Sequence, residues 1–109
     1  MIATDIDSQA ILKKGFQALS DSIRLEVLDL LRHQELCVCD LLESIEVSQS
    51  KLSFHLKTLK EAGLVRSRQD GRWVYYSLNL PQLVALEQYL SDFRRTVSLS
   101  NTPKNSCCD

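Results

Sequence analysis

A mainly α-helical domain, five helices carrying one small two-stranded β-hairpin, is the fold class predicted by this chain of 109 residues. Leucine is abundant and aromatic residues are scarce, and apolar side chains recur at helical spacing in successive segments. Only three glycines and two prolines punctuate them. One pair of alternating segments, 64–69 and 72–78, flanks Asp70-Gly71, the strongest short hairpin signal.

Residues 1–8 are polar and read as frayed. From about Gln9, the spacing of Ile11, Leu12, Phe16 and Leu19 predicts a first helix ending near Ser20. Asp21 or Ser22 can cap a second, in which Ile23, Leu25, Val27, Leu28, Leu30 and Leu31 leave little polar surface. A helix apolar on most sides is expected to be buried, which makes this one the core of the domain. His33 falls at its C-terminal end and reads as structural, with metal ligation as the other option.

The third helix is expected over Val38 to Ile45, with Cys37 as N-cap and the Asp40 carboxylate at N3, beside the exposed N–H groups. Glu46 and Val47 turn the chain. Ser48 caps a fourth helix that runs to Ala62 and stops at Gly63. Within it Leu52, Leu56 and Leu59 share one stripe, and Ser50, Ser53, Phe54, Lys57 and Glu61 fall on the opposite face. In the hairpin Trp73 and Tyr75 lie on one face, Val74 and Tyr76 on the other. Pro81 suits the first turn of a last helix bearing Leu83, Val84, Leu86, Tyr89, Leu90 and Phe93. That helix and the first carry surplus apolar surface. They form either a dimer interface, with Leu86 and Leu90 in it, or a mutual cover within one monomer. Residues 1–97 thus make one domain, and 98–109 a flexible tail with Cys107 and Cys108.

Charge is unevenly placed. The net charge is −1. Residues 1–50 carry four basic and nine acidic side chains, a balance of −5, and residues 51–72 carry six against two, a balance of +4. A basic segment in an acidic frame fits one edge meeting a phosphate backbone. No apolar run approaches the ~20 residues of a membrane span, and the N-terminus has no apolar signal core. A cytoplasmic protein with reduced thiols is expected, its four cysteines serving as ligands or redox groups rather than disulfides.

Helix, tight turn, helix and hairpin together read as a winged helix-turn-helix. The second helix of the pair would enter the major groove N-terminus first, presenting Gln49, Ser50, Ser53 and Phe54 to base edges. Gln can read adenine, Ser either partner, and Phe can lie on a thymine methyl, unless Phe54 is buried against the wing. Lys51, Lys57 and Arg72 would contact phosphates and set register. His55, at the edge of the apolar stripe, reads as a buried structural histidine.

Glu35-Leu36-Cys37-Val38-Cys39-Asp40-Leu41, followed by the run from Val47 to Val65 (VSQSKLSFHLKTLKEAGLV), resembles the ArsR/SmtB family, and the ELCVCDL string its arsenic-responsive branch. The likeness spans about Leu19 to Tyr76. It implies a homodimeric repressor, not an enzyme, that holds double-stranded operator DNA without a cofactor. As(III) or Sb(III), bound by cysteine thiolates, would release it. Three departures stand out. Leu42 occupies the position of that branch's usual third cysteine, residues 81–95 lack histidine, and there are no N-terminal cysteines.

Soft thiolates select thiophilic ions, and As(III) prefers three of them. Residues two apart on a regular helix point to different sides, so Cys37 and Cys39 can grip one ion only by distorting the first turn. Sensing and DNA geometry would thereby be coupled. With Leu42 at the third position, Cys107 or Cys108 could complete the site. The rivals are a thiol-redox or Cd/Pb/Zn-sensing repressor of the same fold, and a small thiol reductase. The last lacks the Cys-x-x-Cys or oxyanion cradle such enzymes use.

Overall fold

In a computed structural model of the chain, residues 6–99 are described, with side chains over 8–95. The elements run α1 (Ile6–Ala18), α2 (Ser22–Leu30), β1 (Leu36–Cys37), α3 (Val38–Ser44), α4 (Gln49–Glu61), β2 (Val65–Asp70), β3 (Trp73–Leu78) and α5 (Leu80–Leu99). Five helices and a wing are present as expected. The tail cysteines Cys107 and Cys108 lie outside the described residues.

Local chemistry sets the helix ends. Asp21, in extended conformation, caps α2 by accepting from the Ile23 and Arg24 N–H groups at 2.8 and 3.2 Å. Ser48 Oγ accepts from the Lys51 N–H at the start of α4. At its end Gly63 adopts φ +78°, so its own N–H reaches Lys60 O and the Leu64 N–H reaches Leu59 O, both at 3.0 Å. This paired closure satisfies two carbonyls that the helix would otherwise leave orphaned.

The core is organised around α4 rather than α2. Leu52, Leu56 and Leu59 are fully buried and meet Val27, Leu31, Leu41, Ile45, Leu64 and Leu86 in one cluster. In α2 only Val27 is fully buried, and Leu25 is 45% exposed. A nine-residue helix packed on one side leaves part of its apolar circumference outside, whatever its composition. His33 lies beyond the end of α2 and is exposed.

The wing differs from the expected hairpin in two ways. It belongs to a three-stranded antiparallel sheet of order β1-β3-β2, because Leu36 and Cys37 pair with Tyr76 and Tyr75. Two residues are too few to show alternation, so this strand leaves no periodic signal. Asp70 pairs with Trp73, which makes Gly71-Arg72 the two-residue loop, with Gly71 at φ +64°. Primed hairpin turns need positive φ at their first central position, and glycine adopts it without strain.

Pro81 stands in the first turn of α5. The preceding Asn79 donates from Nδ2 to Gly63 O at 2.7 Å and from its backbone to Leu64 O at 2.9 Å. These two bonds fasten α5 to the end of α4. α1 packs on α5 where Gly15 offers no side chain: a Cβ there would stand 3.0 Å from Leu86 Cδ2. Leu86 is therefore a core residue, 4% exposed, and not part of an outer face; Leu90 is 57% exposed. Phe16 and Tyr89 continue the seam with ring centroids 5.8 Å apart.

Candidate DNA interface and thiol site

The buried stripe of α4 turns its opposite face outward. Gln49, Ser50, Lys51, Ser53, Phe54 and Lys57 are all exposed, as is Arg72 in the wing loop. Phe54 is 60% exposed, so it is not covered by the wing, and its ring stands edge-on to that of His55 with centroids 5.5 Å apart. The helix thus shows a polar surface with one aromatic, flanked by cations.

His55 holds this helix from behind and is buried, as expected. Arg24 Nη1 lies 3.1 Å from its Nδ1, while Arg24 Nε donates to Ala18 O at 2.8 Å. A guanidinium can only donate, so Nδ1 accepts and the ring proton sits on Nε2. Asp21 Oδ1 is 3.8 Å from the same nitrogen. The Arg24 backbone N–H first, then that of Ile23 and the Arg24 charge, hold the Asp21 carboxyl below the usual range. The cap of α2 and the orientation of α4 thereby share one polar cluster, which sequence spacing alone could not join.

The thiols stand at the start of α3. Cys37 is its N-cap, with φ −90° and ψ 173°, and is 8% exposed; Cys39 is exposed. The Asp40 carboxylate accepts from the Cys37 N–H at 3.1 Å and from its S–H at 3.2 Å, both through Oδ2. This is the N3 role expected of Asp40.

Cys37 and Cys39 differ in burial yet open onto one pocket, because the extended N-cap breaks the ~100° per residue step of a regular helix. The pocket holds about 250 Å³ and is lined by Cys37, Val38, Cys39 and Leu42, by Gln49 of α4, and by Arg72, Trp73 and Val74 of the wing. Two thiols and two of the expected DNA-contacting side chains therefore share one cavity. Trp73 and Val74 were not singled out from sequence, although the pairing of Trp73 with Tyr75 on one wing face was a usable sign. Among the described residues no group of three or more His, Cys, Asp and Glu side chains could hold a metal ion. The donor set here is two soft thiols beside an apolar wall, which fits a thiophilic element rather than Mg or Ca.

Residues 21–67 match the model of the bacterial regulatory protein family arsR. The chain is 44% identical over 89 residues to an arsenical resistance operon repressor of Staphylococcus aureus, covering 82% of this chain and 79% of that one. It is 51% identical over 68 residues to the repressor of the same description from Bacillus subtilis, covering 62% and 65%. Among solved structures, an ArsR-like transcriptional regulator from Rhodococcus sp. RHA1 superposes with a TM-score of 0.76 at 26% identity, over 93% of this chain and 100% of that one.

Proposed function

Because this chain belongs to the arsR family of bacterial regulatory proteins, we propose that it is a metalloid-responsive transcriptional repressor which binds operator DNA as a homodimer and leaves it when As(III) or Sb(III) binds Cys37 and Cys39. The observation that carries this reading is the shared pocket, in which both thiols stand beside Gln49 and Arg72.

DNA binding follows from the exposed face of α4. Gln49, Ser50, Ser53 and Phe54 address base edges, and Lys51, Lys57 and Arg72 address phosphates. Dimerisation is supported by uncovered apolar side chains: Ile11 on α1, and Tyr89, Leu90 and Phe93 along one arc of α5, are all exposed. A soluble chain gains by covering such a surface, and a two-fold pair would set two copies of α4 in successive major grooves.

Arsenous acid would meet the thiols by substitution: As(OH)3 and two Cys–SH give (Cys–S)2As–OH and two waters. Each thiol proton leaves with a hydroxide. Cys37 gives up its S–H bond to Asp40, and its sulfur must approach that of Cys39. The segment that moves is also the N-cap of α3, which packs on α4, and the strand paired with β3. A third position on arsenic is left for hydroxide or for Cys107 or Cys108.

The test is fluorescence anisotropy of a labelled operator, titrated with As(III), Sb(III), Cd(II), Zn(II) and a thiol oxidant. Release by the first two, abolished in Cys37→Ser and Cys39→Ser, is expected. Release by oxidant or Cd(II) alone would replace the metalloid with those effectors.

A further inference from the structure

We propose that Glu35 and Arg68 form a positioning pair that carries the state of the thiol site to the DNA-contacting loop of the wing. The proposal rests on the metalloid-release reading and names the part that transmits the signal.

Glu35 stands one residue before β1, and Arg68 lies in the far strand, β2. The two are separated by β3, yet they are joined by a fork. Arg68 Nε donates to both carboxylate oxygens of Glu35 at 3.0 and 3.1 Å, and Nη2 donates to Oε1 as well. On its way across, the guanidinium lies 4.9 Å from the centre of the Tyr75 ring. Its Nη1 is also 3.7 Å from Asp70. Tyr75 is the register partner of Cys37 on one side and of Arg68 on the other. Directly opposed residues of antiparallel strands share a face, so Cys37, Tyr75 and Arg68 form one row across the sheet. Glu35, just before the strand that bears the thiol, reaches the Arg68 end of that row.

Such an exposed ion pair adds little to stability, because its charges are well hydrated when apart. Its geometry is the informative part. A fork between planar groups fixes orientation as well as distance. When Cys37 and Cys39 close on one atom, residues 35–39 must shift. With the pair intact, β2 shifts with them, and the shift reaches Arg72 through the two-residue loop. With the pair cut, β1 can move against β3 while β2 and the loop stay in place.

The experiment measures the operator Kd with and without arsenite for wild type, Glu35→Gln, Arg68→Gln and the double variant. Arsenite binding to the free proteins is followed in parallel by thiolate-to-arsenic absorption, and folding by thermal melts. The quantity read is the ratio of the two Kd values, the coupling factor, which for allosteric proteins spans roughly 5–150-fold. The expected result is an unchanged arsenite affinity and melting temperature in Glu35→Gln, with a coupling factor reduced by about fivefold or more. Arg68→Gln tests the same link from the other strand, and the double variant should lose no more than either single one. Wild-type coupling in Glu35→Gln, additive losses in the double variant, or a fall in arsenite affinity that accounts for the whole change would each overturn the proposal. If wild type binds arsenite and stays on the operator, the metalloid-release reading itself fails, and the pair's role with it. Release of wild type and Glu35→Gln alike removes only the role given to the pair.

Discussion

Replacing Arg72 with alanine removes an exposed guanidinium from the two-residue loop at the tip of the wing, where it also lines the thiol pocket. Three exposed cations of each chain are assigned to phosphates in the proposed DNA interface: Lys51 and Lys57 on α4, and Arg72. If each meets one phosphate, a dimer makes about six such contacts, and log K should fall with log salt at a slope near −5.4, about 0.9 per contact. Between about 50 and 200 mM salt that slope costs about 10³ in affinity. Arg72→Ala removes about two contacts per dimer, so the slope should flatten to about −3.6 and the loss over the same range shrink to about 10². The assay is anisotropy of one operator and one scrambled duplex across a salt series. The weakening at low salt should be equal on both duplexes. Gln49→Ala is the contrast: it should leave the slope alone and cost about 1–3 kcal/mol on the preferred operator only. A steep slope surviving in Arg72→Ala, or sequence-dependent losses from it, would refute the assignment of phosphate contacts to the wing loop.

On the outer helices, Leu90→Glu should give a folded monomer with weak operator affinity by sedimentation equilibrium. Leu86→Ala should instead cost about 2–5 kcal/mol in urea unfolding, because it empties a core site against Gly15. A tight-binding dimer from Leu90→Glu would show that the exposed face has another use. For acid stability, the Asp21 carboxyl is held low by the Arg24 and Ile23 N–H groups. Its contribution is therefore present above the ordinary carboxylate range and lost as pH falls through its lowered value. Melting temperatures of wild type and Asp21→Asn should differ near neutral pH and converge below that value; a constant gap would remove the cap as the cause. Truncation after Asn105 tests the third ligand. A lower As(III) affinity and sulfur coordination number are expected if Cys107 or Cys108 contributes, and unchanged affinity, coordination and operator release would leave two cysteines as the whole site.

Much of the site could be read without coordinates, because it depends on local rules. Capping at Asp21, Ser48 and Cys37, and the stop at Gly63, follow from which N–H and C=O groups a helix leaves unpaired. The two faces of α4 follow from 3.6 residues per turn, so Leu52, Leu56 and Leu59 are inside and Gln49, Ser53 and Phe54 outside. What needed tertiary structure involves partners distant in the chain. Leu86 and Leu90 sit about 40° apart on one apolar arc, and only the approach of α1 at Gly15 decides which is buried. The strand at Leu36–Cys37 is too short to announce itself, and its pairing with β3 is a choice among edges. Asp70-Gly71 marked the hairpin, but the cross-strand register moved the loop to Gly71-Arg72. The same holds for the candidate surface: residue types pointed to the two thiols and to the exposed face of α4, while only packing put Cys37, Gln49 and Arg72 around one pocket and Glu35 within reach of Arg68. Local backbone energetics act over four residues and are written in neighbouring letters. Contacts across 30 or more residues depend on how whole faces fit, which no single stretch of sequence encodes.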